Sequence, residues 1–528
     1  MGKIAKYLNQ LTIGNVFDNP EILEKYATDY SALRIKPKFV AFPESTDDIR
    51  KLMKFFDQLS TKDIKVALTA RGSGTSEGGE SLTNGVVIST EKLNKLLEID
   101  TRERLVRVQA GITLKELNTA LSVSGLMIPV GGRDDETIGG LISSCPVDSI
   151  AGKYGGIEKY VERIEVVLAN GDCLQTERLK RYAVAKAAAE KTFVGGLYRK
   201  VSKLLRDNSE LTKKIADKHH DLSGYPAIAK ISKRETLDLK PLFFGAEGTL
   251  GIISEVILKA VPLRENRTRI VATFREIATA LKYAEMVKAL GPQKIDYYDL
   301  KIIKNARESG KNLDGIIRKL EDGFVVSACF DEKRNAVIKK MTAIREQMPR
   351  SARFIFEADE NQTFLGEFDN ALVNYISDLK NAERVPILTN FYLPIYNIEG
   401  FLKDLDVLEK KLGLELSLFG DLMTENFSLR PKFNLEDDDF NKKATTFLRA
   451  GAFILNRHGG ILTGGTPEGR LKAVVTNADM PEDEKKLYEE IKAIFDPNGI
   501  LNPDAKLGAS SKFTLTHFRG TNSPKVML

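Results

Sequence analysis

Three glycine-rich segments constrain this chain more than any other feature: RGSGTSEGG at Arg71–Gly79, TIGGLISS at Thr137–Ser144 and GAEGTLGIISE at Gly245–Glu255. Glycine interleaved with Ser and Thr lets a backbone approach a ligand closely and aim amides and hydroxyls at an anion. One such run is usually a plain turn. Here each adjoins an apolar strand-like stretch: VALTA before the first, VVIST after it and IISEVIL within the third. The repetition points to several loops converging on one diphosphate. The amides of Gly72–Ser76 and the hydroxyls of Ser73, Thr75 and Ser76 suit such a group. Gly139 and Gly140, after Thr137, allow a second backbone approach, and Gly245, Gly248 and Gly251 a third.

With 528 residues the chain exceeds one hydrophobic core, so two or more domains are expected. Its 79 basic and 73 acidic residues nearly cancel, and basic runs such as ELTKKIADKHH and EDEKKLYEEIK are mixed in sign. They read as solvated helix faces rather than a nucleic-acid stripe. Cys145, Cys173 and Cys329 are widely spaced with no C-x-x-C, which implies neither a disulfide framework nor an iron–sulfur cluster. A reducing compartment is the default. No apolar run has signal-peptide length in the first thirty residues, and none reaches the roughly 20 residues of a membrane-spanning helix. A cytoplasmic protein is expected, with attachment to the inner membrane face left open.

Along the chain, strands and helices alternate from Ile64 to about Pro262. After that, RIVATF, a helix at Ile277–Leu290, IDYYDL, another helix, GFVVSACF and a helix at Glu332–Gln347 follow a strand–helix–strand rhythm. That rhythm suggests an antiparallel sheet covered by helices on one side. Between Glu177 and Glu235 a lysine-rich stretch, including the turn Ser223–Tyr225, reads as a surface helical pair. The tail from Gly508 has no periodicity and reads as a strap or a partly disordered end.

Further segments extend the pattern: YATDYSALRIKPKFVAFPESTDDIRKLMKF upstream, YVERIEVVLANGD in the middle, and FDPNGILNPDAK at Phe495–Lys506. In order and spacing the whole set resembles the vanillyl-alcohol-oxidase type flavoenzymes, within them the D-lactate, glycolate and D-2-hydroxyglutarate dehydrogenases, from about Tyr26 to about Lys506. The resemblance implies an α+β, two-domain flavoenzyme: a discontinuous FAD-binding domain and an antiparallel-sheet, helix-covered cap. The expected divisions are 1–262 for FAD, 263–484 for the substrate cap, and 485–528 for the return and tail. FAD would be held by Arg71, Gly72, Ser73, Gly74, Thr75, Ser76, Thr137, Gly139, Gly140, Ser143, Gly245, Glu247, Gly248, Thr249, Gly251, Ile252 and Asn502, with Glu247 orienting a loop. Some relatives link FAD covalently to a histidine four residues after the loop arginine. That position is Thr75, so FAD is expected to be noncovalent.

The chain departs from the family in two places. After TIGG, an Asn-Asn-Ala-x-Gly run is replaced by SCPVD at Ser144–Asp148, and a proline and an aspartate cannot supply the same amides. In the cap, G-H-x-G-D-G-N-x-H becomes FGDLMTENFSLRP at Phe419–Pro431, with Asp421 and Ser428 at the ligand histidines. The later Glu-His pair becomes Gly465 and Thr466. No metal is therefore expected, although Asp421 with Glu425 forms an acidic pair whose alternative is a surface charge. Asp421, Asn426 and Arg430 are the candidate catalytic residues. Arg430 can grip a carboxylate bidentately; its alternative is a structural ion pair with the run Glu436–Asp439. Strand alternation lets one of Tyr297 and Tyr298 face the flavin. His458 reads as a helix-end cap, and His219 and His220 as solvated. The expected activity is hydride removal from an alcohol or 2-hydroxy acid onto FAD. A quinone, or a separate electron-transfer protein, is the expected acceptor, since neither clustered cysteines nor a G-x-G-x-x-G dinucleotide fingerprint is present. The alternatives are a flavin oxidase using oxygen and a noncatalytic FAD-binding subunit.

Overall fold

The computed structural model describes residues 2–264, 266–308, 323–356, 372, 385–434, 437 and 439–519. Its first part carries two sheets. In the smaller, β1 (Asn15–Phe17), β2 (Phe39–Phe42), β3 (Leu68–Arg71) and β4 (Val86–Ser89) run in the order β1-β2-β4-β3, and β4 pairs in parallel with both β2 and β3. The parallel crossover is made by the helix α1 (Thr46–Ser60), whose start Ser45 caps by accepting from the Asp48 amide at 3.2 Å. The larger sheet is antiparallel, β5 (Leu96–Asp100), β6 (Leu105–Gln109), β7 (Val161–Val167), β8 (Cys173–Gln175) and β9 (Ile252–Lys259), ordered β5-β6-β9-β7-β8. β9 is the end of the third glycine segment, so its burial at the sheet centre fixes where that loop emerges.

The second part is a seven-stranded antiparallel sheet: β10 (Thr268–Phe274), β11 (Lys294–Asp299), β12 (Phe324–Phe330), β13 (Arg353–Phe356), β14 (Leu388–Tyr392), β15 (Glu415–Asp421) and β16 (Asn426–Lys432), in the order β13-β10-β12-β11-β15-β16-β14. Alternate residues such as Ile270, Ala272, Ile295, Tyr297, Val326, Ala328, Phe427 and Leu429 share one core with the helices Ile277–Lys288, Arg334–Glu346, Ile398–Leu412 and Phe440–Arg457. The period of two then turns the intervening residues to the opposite face. That face meets the glycine segments.

The lysine-rich stretch contains α2 (Arg181–Ala189) and α3 (Phe193–Asp207). α3 buries Leu197, Tyr198, Val201 and Leu204 in the same core as Leu487, Tyr488, Ile491 and Phe495 of α4 (Glu482–Phe495). The late helix thus packs with the first part of the chain. The tail makes a short helix, Ser511–Thr516, and then straps onto residues 32–34, the Arg34 amide donating to His517 O at 2.8 Å and the Arg519 amide to Ala32 O at 3.0 Å. The expected helix after IDYYDL is described only as Leu300–Glu308, and the remainder of that segment lies outside the described residues.

Candidate functional site

A cavity of about 440 Å³ opens between the glycine segments and the polar face of the seven-stranded sheet. Arg71, Gly72, Ser73, Gly74, Thr75 and Ser76 line it from the loop after β3, Thr137, Gly139, Gly140 and Ser143 from the second segment, and Glu247 and Gly248 from the third. The segments are keyed to each other. Thr137 Oγ1 accepts from the Gly140 amide at 3.2 Å and caps the helix Ile138–Ser144. A side chain at Gly72 would collide with that same hydroxyl. The Glu247 amide donates to Ser143 O at 2.8 Å and the Gly245 amide to Ile142 O at 3.1 Å, which joins the third segment to the second. Gly74 has φ +74°, and a Cβ there would meet the Arg71 guanidinium. Arg71 stands over the Tyr26 ring, 4.9 Å from its centroid, and burial lowers its pKa.

Five residues expected at FAD lie behind this wall rather than in it. Gly251 is demanded by packing, since a Cβ would run into Val166. Ile252 belongs to the apolar core at the start of β9. Thr249 Oγ1 donates to Ala246 O and meets the Tyr225 hydroxyl at 2.7 Å. At Gly245, a Cβ would sit 3.0 Å from Pro467. Asn502 is a brace: Nδ2 donates to Glu80 O at 2.9 Å and Glu247 O at 2.7 Å, while Oδ1 accepts from Arg470 at 2.6 Å and Thr69 at 3.0 Å. All four hydrogen-bonding valences of the amide are used. Glu247 is also a brace, accepting from the Gly469 amide at 2.9 Å, and burial pushes its pKa up to about 8.

The opposite wall is made by strand alternation. Lys294, Asp296 and Tyr298 of β11, Phe419 and Asp421 of β15, and Asn426, Ser428 and Arg430 of β16 face the cavity. Tyr297 is turned into the core. Asp421 is buried, not a surface charge, and lies opposite Asp296 across the β11–β15 pair. Burial first, and then the Asp296 charge, raise its pKa to about 7. Its Oδ1 accepts from the Thr424 amide at 2.7 Å and hydroxyl at 2.8 Å. Glu425 is apart from it, 3.8 Å from Lys288. Lys294, which the sequence reading passed over, pairs with Asp296 at the rim of this cluster; its place after the Gly-Pro-Gln turn on an alternating strand is the signal that was available.

Arg430 is only 3% exposed and is paired with Glu77 of the first glycine loop, whereas the sequence also offered the acidic run Glu436–Asp439 as its partner. Glu436 and Asp438 of that run lie outside the described residues. Its guanidinium stands 5.4 Å from the Phe419 ring centroid. Asn390, also on the wall, reaches Glu77 at 3.4 Å. Asn426 donates to Thr424 O at 3.0 Å, while its buried Oδ1 accepts nothing among the described residues. A Cβ at Gly465 would stand 2.7 Å from that oxygen, so glycine there keeps the acceptor accessible. The replaced loop SCPVD is rebuilt around the cap: Val147 donates to Gly465 O at 2.7 Å, and Asp148, buried, accepts from the Ile150 amide at 2.9 Å. Burial raises the Asp148 pKa to about 7.

The histidines stay off this wall. His458 ends the helix Phe440–Arg457 and holds Asp404 through Nε2 at 2.8 Å. His220 is exposed and stacks on Tyr392 with centroids 3.9 Å apart. Among the described residues, no cluster of three or more His, Cys, Asp or Glu is arranged to hold a metal. Cys145 points away, its Sγ 3.8 Å from Glu158.

Comparison with known proteins agrees with this geometry. Residues 37–177 match the model of an FAD binding domain, and residues 263–505 that of the C-terminal domain of FAD linked oxidases. A D-2-hydroxyglutarate dehydrogenase of Pseudomonas putida is 26% identical over 90% of this chain, which spans 49% of that protein, so the chain has about half the length of such curated relatives. A glycolate oxidase subunit of Bacillus subtilis is 26% identical, with 88% of each chain covered. Among solved structures, 4-ethylphenol oxidase from Gulosibacter chungangensis superposes with a TM-score of 0.67 at 16% identity, covering 94% of this chain and 95% of that one. The residues present suit FAD. At Gly72 and Gly74 a Cβ would strike Thr137 and Arg71 of the same wall, so glycine lets these loops close with their backbone on the cavity, and the spare Asn426 acceptor faces that cavity.

Proposed function

Because the chain belongs to the FAD-linked oxidases, with an FAD-binding domain followed by the oxidase C-terminal domain, we propose that it is an FAD-dependent oxidoreductase taking a hydride from a 2-hydroxy acid or related alcohol and delivering electrons to a separate acceptor. The observation that carries this reading is one cavity with glycine loops on one wall and Arg430, Asn426 and Asp421 on the other. FAD, when bound, supplies the two-electron acceptor. It would be held, noncovalently, by Arg71–Ser76, Thr137, Gly139, Gly140, Ser143 and Gly248.

On the cap wall, Arg430 binds the substrate carboxylate and orients its carbinol carbon. Asp421 takes the hydroxyl proton, a role that suits a carboxylate whose pKa is raised to about 7. Lys294 and Asp296 set the field around it. This arrangement needs no metal: Asp421 and Ser428 stand where the family motif has its ligand histidines, and Asp421 is the group on the proton-handling side. The electrons pass to a quinone or an electron-transfer protein, from a cytoplasmic location at the inner membrane face.

The test is anaerobic bleaching of the flavin absorbance by a panel of hydroxy acids, sugar acids and alcohols, with a chelator present. Bleaching by a 2-hydroxy acid that is lost in the variant Arg430→Gln is expected. If no compound bleaches a fully loaded protein, the reading gives way to a noncatalytic FAD-binding subunit.

A further inference from the structure

Residues 178–206 carry nine Lys or Arg against one acidic residue, Glu190, an excess of eight in a chain whose net charge is +6. Everything outside this short stretch therefore sums to slightly negative. Six of the nine sit on α2 and α3, which pack against each other, while Arg178 and Lys180 precede α2 and Lys191 lies between the two helices. Arg178 is near Asp238 at 3.7 Å. The other eight, Lys180, Arg181, Lys186, Lys191, Arg199, Lys200, Lys203 and Arg206, are all exposed, and none is in an ion pair among the described residues.

Their placement is ordered. On α3, Arg199, Lys200, Lys203 and Arg206 form the solvent stripe opposite the buried Leu197, Val201 and Leu204. On α2, Arg181, Tyr182, Ala185 and Lys186 share the outward side. The two sides meet where the Arg199 guanidinium donates to Ala188 O at 2.5 Å. Like charges three and four residues apart on one helix destabilise it, and with Asp207 at its last position as the one carboxylate of α3 the stripe is suited to an external anion. Tyr182 is 77% exposed in the middle of the α2 cations.

We infer that the α2–α3 face docks this protein on an anionic lipid surface. Five of the eight cations are lysines, a residue depleted in protein–protein interfaces but effective against a bilayer, where four to eight basic residues on a helix gather mobile acidic headgroups. An exposed aromatic among them matches the headgroup layer, in which tyrosine is favoured. The surface is independent of the catalytic reading.

The experiment uses the full, FAD-loaded protein in co-sedimentation with phosphatidylcholine vesicles containing about one quarter phosphatidylglycerol, against pure phosphatidylcholine, at about 50 mM and about 500 mM salt. Binding to the anionic vesicles alone, lost at high salt, is expected. The variant K186Q/K200Q/K203Q/R206Q should bind on the order of 1,000-fold more weakly with flavin content and thermal stability unchanged. The variant K333Q/K339Q/K410Q/K411Q, which removes equal charge from exposed sites on the cap, should bind like the parent. The chain contains no tryptophan, so Tyr182→Trp gives a single reporter whose emission should shift to the blue on anionic vesicles. Equal loss in both quadruple variants, no preference for anionic vesicles, or capture of an acidic protein through these cations without any vesicle binding would overturn the proposal.

Discussion

Arg430 already has a carboxylate before any substrate arrives, because Glu77 of the glycine loop reaches across the cavity to it. On the function proposed above, a substrate carboxylate would share or take over that guanidinium, which has donors enough for two oxygens at once. Asp421 provides the sharper test. It ionises as pH rises through about 7, and a base must be ionised, so kcat/KM should climb through that range and level above it. Asp421→Asn should lower kcat/KM on the order of 100-fold or more and remove that limb from the pH profile; an unchanged profile would assign the proton to another group. Gly74 is equally specific. With φ +74° and the Arg71 guanidinium against the missing Cβ, Gly74→Val should purify without flavin, read as the ratio of flavin to protein absorbance. Arg430, Asp421 and Gly74 could all be nominated from residue type and motif position. Lys294 could have been placed on the cavity face from its position on an alternating strand after the Gly-Pro-Gln turn, but Glu77 could not, since nothing local distinguishes it from a surface charge until the loop and the strand face each other.

Among the elements, the segment Thr466–Lys472 and the stretch ending at Lys506 carry buried contacts between the two parts. Lys506 and Glu468, both without any exposed side-chain surface, pair at 2.7 Å, and Glu468 also accepts from the Gly224 amide at 2.5 Å. Removing one partner leaves a buried charge alone, so Lys506→Met should cost about 3 to 5 kcal/mol in denaturant unfolding. A loss below about 1 kcal/mol would mean that water reaches the site. The rebuilt SCPVD loop makes a pH-dependent contribution. Asp148 has its folded pKa raised from 3.8 to about 7 by burial, so between those values the native state holds a proton that the unfolded chain has lost. Its contribution is present below about pH 4 and is lost as pH rises through about 7. Asp148→Asn should therefore leave stability unchanged at acid pH and raise it, by up to roughly 4 kcal/mol, near pH 8 in the flavin-free protein. Parallel melting curves at all pH values would contradict this.

For the molecule as a whole, the position of Thr75 on the cavity wall leaves no histidine at that point of the first loop, and acid precipitation should release all the flavin into the supernatant; yellow colour in the washed pellet would show a covalent link. Both domains were legible in the chain because their signals are local. Glycine runs beside apolar strands, a strand–helix rhythm after Pro262 and capped amphipathic helices depend on neighbours within a few residues, and side-chain period and backbone permissiveness act at that range. Juxtaposition is another matter. That Asn502 links Thr69, more than 400 residues away, to Glu247 O of the third glycine loop, that Asp421 is buried against Asp296, and that Glu77 meets Arg430 all follow from how two sheets close on one cavity. Burial and the field of distant charges set protonation and partnership, and neither exists until the chain has folded.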